Sequence, residues 1–194
     1  MYLVSYITIQ SFEACRSIPV FQQDCHGNKK KVLSYVGDKG DAWRESCTKV
    51  HSQPNDFNLL IEGVRGDGYL GDIAIDDIEL SADVSCSCRA ADDPCDFEKD
   101  TCSWVQDTTD NFDWTLNSGS TPSLDTGPNG DHTTGTGHYL FVEGSSPQRS
   151  GYQAKLLSPV LNPGQQYCLD YWYNMNGANM GTLDVYTQVS TSTV

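Results

Sequence analysis

Basic side chains are scarce in this chain: 12 Lys and Arg stand against 26 Asp and Glu, a net charge of -14 over 194 residues. Nucleic acid and anionic membrane surfaces would be repelled by that field and are excluded as expected ligands. No apolar run reaches the roughly 20 residues that a bilayer-crossing helix requires. Residues 1–14 lack the basic leader and long apolar stretch of a signal peptide and alternate like a strand. No Cys-x-x-Cys pair occurs, and His26, His51, His132 and His138 are scattered, so the spacing of a structural zinc site is missing. The His-Glu-x-x-His helix, the Gly-x-Ser-x-Gly elbow and a phosphate-cradling glycine loop are missing too. Catalysis therefore finds no support, and the chain is expected to be non-enzymatic. An Asn-x-Ser/Thr acceptor is also absent, so N-glycan shielding plays no part.

Cysteine, by contrast, is plentiful. Eight occur, at Cys15, Cys25, Cys47, Cys86, Cys88, Cys95, Cys102 and Cys168. An even count without metal-site spacing points to disulfides and hence to an oxidising compartment. The expected location is extracellular, as secreted or cell-surface ectodomain material. A disulfide-rich chain with no visible leader is expected to be a fragment of something longer.

Period-two alternation dominates and helical periodicity is nearly absent. Phe57, Leu59 and Ile61 share one face of Phe57–Val64, and Tyr167, Leu169, Tyr171, Tyr173 and Met175 share one face of Tyr167–Met175. In Asp72–Leu80 strict alternation puts Ile73, Ile75 and Asp77 on one face and Ala74, Asp76 and Ile78 on the other. Further strands are expected at Leu3–Ile9, Val32–Val36, His138–Glu143, Gln153–Pro159 and Leu183–Val189. Many short strands separated by Gly- and Asn-rich turns predict an all-β fold, an antiparallel β-sandwich. Residues 81–94 are small and polar and read as a linker between a first part, 1–80, and a second, 95–194.

The second part carries, in order, Cys95-Asp96-Phe97-Glu98, Cys102-Ser103-Trp104-Val105, Asn111-Phe112-Asp113-Trp114, Thr126-Gly127-Pro128-Asn129-Gly130-Asp131, Gly137-His138-Tyr139-Leu140, Ala154-Lys155-Leu156-Leu157-Ser158-Pro159 and Cys168-Leu169-Asp170-Tyr171-Trp172-Tyr173. This series resembles the first two-thirds of a MAM domain, the module found in meprins, neuropilins and receptor tyrosine phosphatases. The first part, with Gly37-Asp38-Lys39-Gly40-Asp41-Ala42-Trp43-Arg44, Phe57-Asn58-Leu59-Leu60-Ile61-Glu62-Gly63 and Gly71-Asp72-Ile73-Ala74-Ile75-Asp76-Asp77-Ile78, resembles the last third of the same module. The tail of one repeat thus precedes the head of the next. The expectation is a jelly-roll-like sandwich, circularly permuted from the two partial MAM domains and docked as one unit; the rival is two unfinished halves that do not dock.

The resemblance implies several sites. It pairs Cys95 with Cys102, and Cys168 with Cys86 or Cys88. Cys15, Cys25 and Cys47 depart from the family pattern, and a Cys15–Cys47 or Cys25–Cys47 bridge is an open alternative. A structural calcium ion is the expected cofactor, with Glu98, Asp131 and Asp76 as first ligands and Asp125 and Asp77 nearby, since calcium takes six to eight oxygens from carboxylates and loop carbonyls. The plainer reading leaves these carboxylates as surface solvation and turn caps. Arg65-Gly66-Asp67 spells an integrin-type tripeptide in the expected hairpin between Phe57–Val64 and Asp72–Leu80, where it could be displayed and where coincidence is the competing reading. Trp104, Trp114 and Trp172 are expected in the core rather than on a sugar-stacking platform, and Lys29-Lys30-Lys31 in a solvated loop. The function implied is protein–protein interaction or cell adhesion outside the cell. Other extracellular proteins, or further copies of the same chain, would be the partners, and the parent would be membrane-anchored. A glycan-binding sandwich and an accessory domain of a secreted metalloprotease are the alternatives.

Overall fold

A computed structural model describes residues 29–82, 85–86 and 94–189, so the expected strand Leu3–Ile9 and the cysteines Cys15, Cys25 and Cys88 lie outside the described residues. The described residues form ten strands and no helix: β1 Lys29–Val36, β2 Gly40–Val50, β3 Phe57–Val64, β4 Asp72–Ser81, β5 Val105–Gln106, β6 Thr115–Ser118, β7 His138–Val142, β8 Gln153–Leu157, β9 Tyr167–Asn176 and β10 Thr182–Val189. They make two five-stranded sheets, ordered β1-β10-β3-β8-β5 and β2-β9-β4-β7-β6. Every pairing is antiparallel, as the alternation of one buried and one wetter face requires.

The core lies between the sheets and follows the alternation. Phe57, Leu59 and Ile61 of β3 and Leu183 and Val185 of β10 meet Ile73 and Ile75 of β4 and Tyr167, Leu169, Tyr171, Tyr173 and Met175 of β9. Full burial of each such aliphatic or aromatic side chain contributes about 1.5–3 kcal/mol. Gly63 on β3 leaves room for the core: a Cβ there would stand 2.7 Å from Val142 Cγ2 and 3.1 Å from the Trp114 ring. Trp114 satisfies its indole by donating from Nε1 to the Ala154 carbonyl at 3.1 Å. Its own backbone N–H and carbonyl are bonded by the Gln106 side-chain amide, at 3.1 and 2.8 Å, which ties the two edge strands β5 and β6 together across the sheets.

Three expectations from the sequence are corrected. Strict alternation along β4 fails at a bulge between Asp76 and Glu79. Asp77 takes a left-handed conformation (φ 47°), which rotates the chain so that Ile78, not Asp77, joins Ile73 and Ile75 in the core. Trp104 and Trp114 are core residues, but Trp172 is not: it lies on the outer face of its sheet, its ring stacked 3.7 Å from that of His132. Lys29-Lys30-Lys31 is not a loop but the start of β1, with Lys29 Nζ 3.2 Å from Glu62 Oε2 and Lys31 Nζ 2.9 Å from Asp184 Oδ2.

The strands of the two parts alternate. Each of β1, β2, β3 and β4 is hydrogen-bonded to strands drawn from β7, β8, β9 and β10, and among the described residues none pairs with another of the first four. Within the second part only β5 with β8 and β6 with β7 pair locally. The chain passes from one part to the other close to a backbone bridge in which Ile78 and Cys95 each donate to the other's carbonyl, at 3.0 and 2.9 Å.

Candidate functional site

Four turns meet at one end of the sandwich: 65–71, 121–127, 143–151 and 177–181. Arg65 fastens two of them, donating from Nε to the Gly144 carbonyl at 2.6 Å and from Nη1 to the Gly66 carbonyl at 3.3 Å. Asp72 joins a third, the 121–127 turn, to the 143–151 turn, accepting from Thr126 Oγ1 at 2.6 Å and from the Gly144 N–H at 2.9 Å. Burial pushes the Asp72 carboxyl above its ordinary value, against the pull of those donors. The 177–181 turn closes on the first through the Asn179 N–H and the Leu70 carbonyl, 2.7 Å apart. Gly66 has no space for a side chain, since a Cβ there would overlap the Asn179 carbonyl oxygen. From this interlocked base two large side chains project: Leu124 is 85% exposed and Tyr69 61% exposed.

The tripeptide Arg65-Gly66-Asp67 belongs to this end. Arg65 is half-buried and its guanidinium already serves two carbonyls, while Asp67 is exposed with Asn179 Nδ2 3.4 Å from its Oδ1. Asp125 also lies here: it has a left-handed backbone (φ 59°) and its carbonyl faces Asn176 Nδ2 at 3.5 Å. It is therefore set apart from the other expected metal ligands. Leu124 was legible only as a lone aliphatic residue in a polar stretch, and Tyr69 as an aromatic among glycines.

The remaining carboxylates gather toward the opposite end of β4. Asp131 accepts backbone N–H groups from Thr134 at 2.8 Å and Gly137 at 2.6 Å, and Glu98 Oε1 accepts the His138 N–H at 2.6 Å. A Cβ on Gly137 would overlap Glu98 Oε1 and crowd Asp131 Cγ, which places the two carboxylates side by side. Asp76 accepts the N–H groups of Asp77 and His132, both at 2.8 Å. Asp77 turns away from the core, its Oδ2 2.6 Å from His132 Nδ1 and bonded by the Thr133 hydroxyl. Burial raises the Asp76 carboxyl to about 8, with the charges of Asp77 and Asp131 adding to the rise and the two N–H donors opposing it. Burial also works against Asp131, yet its donors Thr134 and Gly137 outweigh it and hold that carboxyl low.

This donor set is all oxygen, the chemistry calcium takes, and it includes a buried carboxyl, Asp76, whose ionisation burial and neighbouring carboxylates disfavour. It fits a hard divalent ion in composition and charge. The spacing is open: among the described residues the one set of three or more His, Cys, Asp or Glu whose ligand atoms all fall within 4.8 Å of one another is Cys47, Cys86 and Cys168, not the carboxylates. Loop carbonyls would have to complete a shell around Glu98, Asp131 and Asp76. The sulfur trio is no metal site, because Cys86 is bonded to Cys168 and Cys47 is itself in a disulfide. Cys95 is joined to Cys102, seven positions on.

Two antiparallel sheets packed face to face, with the Cys86–Cys168 and Cys95–Cys102 disulfides and with fastened turns at one end, define a disulfide-bonded β-sandwich module. The chain belongs to the MAM domain family: the sequence model of the MAM domain, meprin/A5/mu, matches residues 5–89 and 95–194. It is similar to thyroid hormone-induced protein B of Xenopus laevis, 31% identical over 189 residues, covering 93% of this chain and 26% of that protein. Human MAM domain-containing protein 2 is 38% identical over 174 residues, 88% of this chain and 25% of that protein. Human MAM domain-containing glycosylphosphatidylinositol anchor protein 2 is 38% identical over 138 residues, 63% of this chain and 14% of that protein. The chain thus spans about a quarter of the length of the first two relatives. No solved structure matches it.

Proposed function

We propose that this chain is a non-catalytic extracellular interaction module that docks a protein partner through the turn end bearing Tyr69 and Leu124. What supports the reading is the pairing of a rigid base with exposed apolar tips. Arg65 and Asp72 hold the turns in one geometry, so a partner gains contact with an exposed tyrosine and leucine without ordering the loops first. Relatives named for a glycosylphosphatidylinositol anchor favour a cell-surface setting and a membrane-anchored parent. Cells plated on a surface coated with the chain test it. Leu124→Asp combined with Tyr69→Ala should abolish attachment while the melting temperature stays within a degree or two. Undiminished attachment by that variant would refute docking at this end, and attachment abolished by glycosidase treatment of the cells would favour a sugar ligand instead.

A calcium ion held by Glu98, Asp131 and Asp76 forms part of the same proposal. When bound, the ion would neutralise carboxylates that otherwise repel one another. Asp76 and Asp131 would supply the oxygens, and the 131–138 turn would be fixed against β4.

A further inference from the structure

We infer that this chain exchanges halves with a second copy of itself, the 29–86 segment of one copy completing the 94–189 segment of the other. The inference holds whether or not the turn end binds another protein.

The strand order carries it. A hydrogen-bonded ladder needs two strands, and β1 to β4 offer each other none; each finds its neighbours among β7 to β10. The same division appears outside the ladders. Gly37 donates to Gly181, Lys39 to Met175, Phe57 to Leu161 and Arg65 to Tyr152, each across the parts. The core is shared in the same way, with Phe57, Ile61 and Ile75 packed among Leu156, Tyr171 and Val185. Among the described residues, the 29–81 segment is thus stabilised as a sheet component only by strands of a second part. Nothing in those contacts distinguishes a second part on the same chain from one on another chain.

The connection decides which is used. From Ser81 to Cys95 the chain can reach about 45 Å when extended, enough either to fold back on its own second part or to cross to a neighbouring module. Folding back operates at the effective concentration that a short connection sets, on the order of millimolar. The self-completed form therefore prevails in dilute solution, and exchange prevails where copies are crowded to comparable density. The Cys86–Cys168 disulfide records the choice. Ser81 stands opposite Cys168 in the β4–β9 register, so Cys86 travels with the first part and Cys168 with the second. The bond lies within one chain in the self-completed form and between two chains in the exchanged form.

The test uses the full chain, half of it labelled with nitrogen-15. The labelled and unlabelled chains are unfolded, reduced and co-refolded in a glutathione buffer, at low micromolar and at near-millimolar concentration. Light scattering on the eluting fractions and mass spectrometry of the disulfide-linked peptides follow. At high concentration a dimer or larger species is expected, with about half of its Cys86–Cys168 peptides carrying one label from each chain, the random share. The monomer should carry none. Cys95–Cys102, wholly within the second part, should stay same-labelled throughout. A monomer at every concentration with same-label Cys86–Cys168 only would overturn the proposal. So would mixed labels appearing equally at Cys95–Cys102, which would mean disulfide scrambling rather than exchange.

Discussion

Glu62 and Asp184 stand directly opposite each other on neighbouring strands, 3% and 4% exposed, two carboxylates side by side on the outer face of a sheet. Like charges so placed repel. Each is answered from β1, Glu62 by Lys29 and Asp184 by Lys31, Ser34 and, from its own strand, Tyr186. The lysines also lie over the Tyr186 ring, at 4.7 and 5.3 Å from its centroid. Burial, together with those carboxylates, pushes the Tyr186 hydroxyl well above its ordinary value.

Removing Lys31 should therefore cost more than an exposed ion pair. Lys31→Ala leaves a buried carboxylate short of a cation, for about 1–3 kcal/mol of lost stability by urea unfolding. Asp184→Asn in the same chain should recover part of it. Additive losses in that double-mutant cycle would mean the pair is not coupled.

Asp76 makes stability depend on pH in an unusual direction. Its folded carboxyl titrates near 8 against an unfolded value near 4, so the folded state holds a proton that the unfolded state has lost. Stability from this group is complete below pH 4 and declines as the pH rises to about 8. Asp170 is also raised, to about 6, by burial and by Glu45 and Glu79, and burial raises Asp72 and Asp110 as well, so the comparison with Asp76→Asn is what isolates Asp76. From about pH 6.5 to about 8 the melting temperature of the parent chain should fall relative to that of Asp76→Asn. Parallel curves would show that Asp76 is ionised throughout.

Calcium should raise the melting temperature at pH 7.5, and a chelator should reverse the gain. Asp131→Asn should remove the response, because it takes away a ligand carboxylate while its side-chain oxygen can still accept the N–H of Gly137 or Thr134. An unchanged melting curve on adding calcium would exclude the ion from this site.

The two tryptophans should behave differently. Trp114→Ala opens a core cavity and leaves the Ala154 carbonyl without its indole donor, while the Gln106 bonds to the residue 114 backbone persist, for about 3–5 kcal/mol. Trp172→Ala removes a ring stacked on His132 at the surface, for about 1 kcal/mol. Chemical denaturation of both variants decides, and equal losses would return Trp172 to the core.

These differences trace how far the sequence could be read. β3 and the inward face of β9 were legible because apolar side chains recur at every second position and the buried face follows them. β2 was not, since it is an edge strand whose buried residues are few, Ser46 and Val50, among charged and exposed neighbours. β6 and β5 are short, largely exposed edge strands. The bulge at Asp76 and Asp77 leaves no mark in the alternation, which is why Asp77 and Ile78 changed faces and Asp77 came to meet His132. Of the expected ligands, Glu98 and Asp131 stand side by side at Gly137, and Asp76 reaches the same turn through the His132 N–H, a placement that spacing alone cannot supply.

The alternation of strands from the two parts governs when this module can form during synthesis. As Lys29–Ser81 leaves the ribosome, the strands that pair with its four among the described residues are still to be made, and with them the side chains of β9 and β10 that pack on Phe57, Ile61 and Ile75. Closing such distant pairings is slow. In that interval the strands still waiting for β7 to β10 are open to pairing with other nascent chains and to capture by chaperones.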